Sequence, residues 1–239
     1  MINNTIDQRS LDWFRSRLGN ITGSRVGDLM KSSRTAGEKF GYTAKAYLYQ
    51  LAGERKMNPN IVEDDDMFSE YINQTSISSK AMRFGTETEG DARIVYMRIT
   101  GHVVDEVSSC MHDYIPNFAS SPDGVIYNTD NTSDLVGCVE IKCPNVNTYV
   151  KYLVEITDNK SLKKVNPQYY YQCQSHMMCT GAKWCDFVIY CPWLEDPIHV
   201  VRITPDIEAV NLITDRVVEA NEFIDNIISK ESWKIQKVA

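Results

Sequence analysis

The chain has 239 residues, 43% of them hydrophobic and 24% charged, with a formal net charge of −7. At roughly 150 residues per domain this is one large domain or two small ones, and no run reaches the roughly 18 apolar residues of a membrane span. The acidic total excludes a generic polyanion binder, yet residues 1–60 hold ten Lys/Arg against five Asp/Glu, which suggests a basic surface on an acidic body.

In chain order, Leu11, Phe14 and Leu18 recur at helical spacing, so residues 8–18 read as a helix stopped by Gly19. Ile21-Thr22-Gly23-Ser24 leads into a second helix with Thr22 or Ser24 as its cap. Thr43 is expected to cap a third, ending near Arg55. Residues 57–79 show no clean period, and Glu63-Asp64-Asp65-Asp66 reads as a solvated loop facing away from any nucleic acid. Residues 85–100 form a helix carrying Glu87, Glu89 and Asp91. Residues 103–113 are extended. Strands follow at 118–127 and 135–143, joined by a turn rich in Asn, Asp, Thr and Ser. Helices are expected at 145–156 and 167–181, strands at 187–190 and 199–203, and Lys160, Lys163 and Lys164 in a basic loop between the helices. Pro205 is expected at the first position of the last helix, whose stripe runs Val210, Ile213, Val217, Ala220, Ile224, Ile227. No repeat or linker appears. The pattern implies an α/β sandwich with a mostly antiparallel sheet.

The N-terminus lacks a basic-then-apolar signal, so a cytosolic, reducing compartment is expected. Seven cysteines then imply no disulfide. Cys173, Cys179, Cys185 and Cys191 recur every six residues, too widely for the paired thiols of zinc or iron–sulfur sites, and read as small buried hydrophobes.

The chemistry concentrates in Ser121-Pro122-Asp123-Gly124 and Glu140-Ile141-Lys142. In a strand Glu140 and Lys142 share one face while Ile141 points to the core. If Asp123 sits opposite, two acids and an ammonium converge. Two carboxylates about 4 Å apart repel by roughly 4 kcal/mol at an effective dielectric of 20. A proton or a hard cation such as Mg²⁺ or Mn²⁺ relieves that. An isolated E-x-K is also an ordinary cross-strand ion pair, and P-D-G an ordinary turn.

What accompanies them resembles a known family. R-S-R-L-G-N-I-T-G-S (Arg15 to Ser24), G-T-E-T-E-G-D-A-R (Gly85 to Arg93), S-P-D-G (Ser121 to Gly124), E-I-K-C-P (Glu140 to Pro144) and Q-C-Q (Gln172 to Gln174) occur in the order seen in YqaJ-type viral recombinases, the phage lambda exonuclease family. The resemblance covers about residues 8–203. It implies a PD-(D/E)xK restriction-endonuclease-like core, a central mixed sheet flanked by helices, in a single nuclease domain over 1–239. Asp123 and Glu140 then resemble the main metal ligands, with the Ile141 carbonyl nearby, Glu89 a helical carboxylate beside the metal, and Asp113 a further acid. Lys142 resembles the lysine that serves a nucleophilic water, either as base or as cation. Arg17, Ser24 and Gln172 match a pocket for a 5′-terminal phosphate. Physical chemistry agrees that a helix start near Ser24 and a guanidinium attract an anion. Each residue also has an ordinary reading, as a helix-end charge, a cap and a surface amide. Trp13 is expected to pack, His112 to be an ordinary residue near Asp113, and His176 is assigned nothing.

The family reading implies a Mg²⁺-dependent 5′-to-3′ exonuclease on double-stranded DNA ends, with Mn²⁺ as an alternative ion. Mononucleotides and 3′ single-stranded overhangs are its products. It further implies a single-strand annealing protein as partner, a homo-oligomeric ring (a trimer by resemblance), no membrane, and a phage or prophage protein in the cytoplasm of a bacterial host. A restriction-like endonuclease and a non-catalytic DNA-end-binding protein are the rivals.

Overall fold

The computed structural model describes residues 6–75, 80–131, 133–230 and 233. Ser10 opens α1 (Leu11–Arg17) by accepting from the Trp13 amide, and Gly19 beyond its end takes a φ of +70°. A short strand β1 (Ile21–Thr22) runs into α2 (Gly23–Leu29). Thr22 is the cap residue of α2 but makes no side-chain cap bond; its hydroxyl instead lies 3.3 Å from that of Tyr47. The third helix, α3 (Tyr42–Glu54), starts earlier than expected, with Gly41 rather than Thr43 as its cap.

Residues 57–75 depart further from expectation. They form α4 (Pro59–Glu63) and α5 (Asp65–Thr75), with Asn58 capping the first and Pro59 at its start. The acidic run therefore lies at a helix junction rather than in a loop: Asp64 accepts from the Met67 amide and Asp65 pairs with Arg15. Carboxylates in a first helical turn complement the exposed N–H groups there. Helix α6 (Lys80–Thr100) includes the expected 85–100 segment.

The extended stretch after α6 contributes one bridge, Asp105 to Val125, and the short β2 (Cys110–Met111). The expected strand 118–127 is broken in two. β3 (Phe118–Ser120) lies in a three-stranded sheet ordered β1-β3-β2. β4 (Gly124–Tyr127) begins a second sheet, continued by β5 (Leu135–Lys142), β6 (Trp184–Tyr190) and β7 (Ile198–Ile203) in the order β4-β5-β6-β7. Pro122 lacks an amide hydrogen and cannot continue a ladder, so Ser121-Pro122-Asp123 carries the chain between the sheets. Gly124 is required there, because a Cβ would overlap the Val104 side chain and press on the Asp105 carbonyl. β4/β5 and β6/β7 are antiparallel and β5/β6 is parallel, so the sheet is mixed, with antiparallel pairs in the majority as expected.

The parallel pair needs a crossover, supplied by α7 (Val146–Glu155), α8 (Asn159–Val165) and α9 (Pro167–Thr180). The lysines expected in a loop lie on or beside α8, where Asp158 and Ser161 form a capping box. Helix α10 (Ile207–Ile228) closes the described core; Asp206 caps it and Pro205 precedes the cap rather than opening the helix.

Strand alternation divides β5 between two layers. Val139 and Ile141 pack with Ala92 and Tyr96 of α6, while Cys138 joins the larger core beneath α9 and α10. Cys173, Cys179, Cys185 and Cys191 are buried and unbridged, as small hydrophobes. Among the described residues no helix is long and apolar enough to cross a membrane.

Candidate active site

The β4–β5 pairing brings Asp123 beside Glu140. The Asp123 amide donates to the Val139 carbonyl at 2.9 Å, and its carboxylate accepts from the Ile141 amide at 2.7 Å. The acid is thus clipped across the strand that carries Glu140, because the two segments form one hairpin. Burial drives the Asp123 pKa well above the ordinary aspartate range, and the charges of Glu140 and Glu89 push it further.

Glu140 is 1% exposed. Burial disfavours its charge, but the Lys142 ammonium and the His176 imidazole overcome this and hold it down at about 2. His176 Nε2 lies 2.5 Å from Glu140 Oε2. Lys142 Nζ lies against Glu140 Oε1, yet that oxygen has no well-directed hydrogen bond. Burial opposes the charge on Lys142 as well, but Glu140 and Asp123 raise its pKa above the lysine value, so it is an ammonium. Its Nζ stands 4.8 Å from the centre of the Tyr169 ring.

A cavity of about 420 Å³ opens onto Asp123, Glu140, Ile141, Lys142 and Glu89, with Arg9, Tyr169 and Gln172 on its walls. Glu89 comes from α6 and is shared by Arg9, at 2.5 Å, and Arg93, at 3.1 Å. Arg9 reaches it from a left-handed backbone position, φ 69°, while the neighbouring Gln8 side chain donates to the carbonyls of Val107 and Pro122.

Cations already stand on these acids: Lys142 on Glu140 and two guanidiniums on Glu89. Among the described residues no three acidic, His or Cys side chains converge closely enough to enclose an ion by themselves. The donor set nevertheless fits a small hard cation. Mg²⁺ is usually held by one or two carboxylates with water and substrate oxygens completing its shell. Asp123, whose anionic form burial and the charges of Glu140 and Glu89 make costly, and the Glu140 oxygen that faces the Lys142 ammonium are the groups such an ion would satisfy.

Asp113 is exposed in the turn between β2 and β3 and is not among the residues that line this cavity. His112 is structural there, its Nδ1 accepting from the Tyr114 and Ile115 amides at 3.1 and 3.0 Å.

The three phosphate candidates separate into two groups. Arg17 and Ser24 line a second cavity of about 200 Å³ with Asn20, Arg25 and Tyr47, whereas Gln172 lines the acidic one. Arg17 Nη1 donates to Ser121 Oγ at 2.8 Å, which ties this second cavity to the Asp123 turn. No carboxylate pairs with Arg17 among the described residues, and burial pulls its pKa down to about 10, still a cation at neutral pH. It lies 4.2 Å from the Trp13 ring centre; Trp13 packs edge-on against Phe14 as expected. Helix α2 spans two turns and adds little dipole, so the Ser24 hydroxyl is the useful donor.

Two residues of the site lie outside the expected set, Arg9 and His176. Their partners are 80 and 36 residues away in the chain. No local pattern marks either; a histidine one helical turn from Gln172 is the nearest sequence signal.

A family model described as YqaJ-like viral recombinase domain matches residues 12–183. The crystal structure of an alkaline exonuclease (LHK-Exo) from Laribacter hongkongensis is similar at 30% identity and a TM-score of 0.72, covering 96% of this chain and 100% of that one. LHK-Exo in complex with dAMP matches at 31% identity, a TM-score of 0.72 and the same coverage. A phage related exonuclease from Haemophilus somnus 129PT shares the fold at 15% identity and a TM-score of 0.61, over 88% of this chain and 95% of that one. No curated protein matches. The mixed sheet flanked by helices is the PD-(D/E)xK-like fold of these alkaline exonucleases.

Proposed function

Because this chain belongs to the YqaJ-like viral recombinase domain family, we propose that it is a DNA exonuclease whose active site is the Asp123–Glu140–Lys142 cavity. The carrying observation is the buried Asp123–Glu140 pair with the Lys142 ammonium against it, opening to a cleft. A buried carboxylate whose charge is this costly, beside an ion pair at the wall of a cleft, marks a functional site.

Asp123, Glu140, Glu89 and the Ile141 carbonyl would hold Mg²⁺ or Mn²⁺. Bound there, the ion would lower the pKa of a water and offset the charge of a phosphodiester. Lys142 serves as a fixed cation beside the attacked phosphate, a reading its ion pair with Glu140 supports. Tyr169, stacked under that ammonium, limits its motion. Gln172 presents a neutral donor in the same cavity. Arg17, Ser24 and Ser121 hold a 5′-terminal phosphate next door. An unpaired guanidinium and hydroxyls suit a terminal phosphate dianion, and the Arg17–Ser121 bond sets its distance from the acidic cleft.

The direction is therefore 5′ to 3′ on duplex ends, releasing mononucleotides and leaving a 3′ single strand. The likeness to an exonuclease crystallised with dAMP supports the mononucleotide product. A single-strand annealing partner, a ring of identical subunits and action within a bacterial host complete the proposal, on family grounds. Strand-specific digestion of end-labelled linear duplex, with and without Mg²⁺, tests it. The expected result is metal-dependent loss of the 5′ label as mononucleotide. Rapid cutting of covalently closed circles, or loss of the 3′ label first, would overturn it.

A further inference from the structure

His176 is 1% exposed and is not among the residues that line the acidic cavity. Its ring joins two other buried groups. Nε2 lies 2.5 Å from Glu140 Oε2, and Nδ1 lies 2.7 Å from Ser120 Oγ. Ser120 is 0% exposed and ends β3, in the smaller sheet. Glu140 belongs to β5, in the larger sheet, and His176 to α9, which packs on both. The imidazole is thus a strut between three elements, ending on the carboxylate at the centre of the site.

An ionised carboxylate only accepts, so Nε2 donates to it; in the neutral tautomer that carries this proton, Nδ1 accepts from the Ser120 hydroxyl. Gly23 closes the relay from outside, since a Cβ there would lie on Ser120 Oγ.

We propose that His176, oriented by Ser120, is a positioning residue for Glu140. It commits Oε2 to the protein interior and turns Oε1, the oxygen that faces the Lys142 ammonium, toward the cation. This rests on the reading of Glu140 as a metal ligand. Groups that orient metal-binding carboxylates and histidines typically affect metal affinity or activity 10–100-fold, on the order of what is expected here. Lys142 cannot substitute for His176, because it approaches the other oxygen from the cavity side.

The test is Mn²⁺ binding to the metal-free full-length protein, followed by the electron paramagnetic resonance of free Mn²⁺, without DNA. Wild type, His176→Ala, His176→Gln, Ser120→Ala and Glu140→Gln are compared, alongside digestion kinetics across Mg²⁺ concentrations. His176→Ala should weaken Mn²⁺ binding about 10–100-fold and raise the Mg²⁺ needed for half-maximal rate, with KM for DNA unchanged. His176→Gln keeps a donor of similar reach and should recover binding to within about threefold of wild type, and Ser120→Ala should fall between. Wild-type Mn²⁺ affinity in folded His176→Ala, or a His176→Gln as weak as the alanine variant, overturns the proposal. Should His176→Ala fail to fold, Ser120→Ala decides: weakened binding supports the relay and unchanged binding refutes it. If Glu140→Gln binds Mn²⁺ as wild type does, the metal-site reading fails and the relay proposal falls with it. That outcome is distinct from one in which only the His176 variants are silent.

Discussion

Replacing Asp123 by Asn should make the metal-free protein more stable while abolishing its activity. Asn keeps an oxygen to accept the Ile141 amide at 2.7 Å but removes the charge. At about 5 Å and an effective dielectric of 20, one carboxylate repels another by roughly 3 kcal/mol. The Lys142 ammonium and the Ile141 amide offset part of this, leaving a net gain on the order of 1–3 kcal/mol. For a chain of this size that raises Tm by about 3–9 °C. The sign depends on pH. Asp123 has its folded pKa raised, so its penalty is absent where it is protonated and develops as pH rises through the elevated value. Glu140 runs the other way. It is held at about 2, so its contribution is complete above the ordinary glutamate range and lost as pH falls toward 2. Asp123→Asn and wild type should therefore melt together in mild acid and separate with rising pH. Mg²⁺ or Mn²⁺ should then stabilise the wild type, by linkage, by about 2–3 kcal/mol at a hundredfold excess over Kd, raising its Tm and leaving the variant unmoved. Thermal melts by circular dichroism, in chelator and then in metal, measure all of this. A folded Asp123→Asn that melts below wild type in chelator at pH 8 would refute the reasoning, because the aspartate would then be stabilising rather than strained.

Lys142→Ala should abolish digestion of end-labelled duplex and lower metal-free stability by about 3–5 kcal/mol, since it strips a counter-charge from buried Glu140; an active, equally stable variant would contradict the site. Arg17→Ala should narrow the preference for 5′-phosphorylated over 5′-hydroxyl ends, read from the initial rates on the two substrates, and Arg17→Lys should recover only part of it because its ammonium lacks the planar fork. Asp206→Ala removes the acceptor for the Glu208 and Ala209 amides and for the Tyr170 hydroxyl. It should cost about 1–2 kcal/mol in chemical denaturation without changing nuclease rates, which serves as a control on stability effects.

Much of the site was legible because its centre is local. Asp123, Glu140 and Lys142 lie on two segments of one hairpin, and strand alternation alone places Glu140 opposite in sense to Ile141. The helices at 11–17, 146–155, 167–180 and 207–228 likewise follow from periodicity and caps within each segment. Errors arose where a local rule had competitors. Thr43 is a good cap, yet Gly41 takes that position and the helix starts at Tyr42. The acid run 63–66 is solvent-exposed as expected, yet it joins two helices instead of forming a loop, and Phe68 just beyond it is buried.

The sequence by itself determined the kinds of element, their order, and the acid–acid–ammonium triplet, because those depend on propensity, period and neighbours a few residues apart. Only the tertiary structure decided what surrounds the triplet. His176 meets Glu140 across 36 residues, Arg9 meets Glu89 across 80, and Arg17 meets Ser121 across 104. Such contacts form when sheets and helices dock, and they are chosen by burial and by the need to pair every buried charge and polar atom. Neither condition leaves a spacing in the chain, so the triplet could be read in advance and the groups that hold it in place could not.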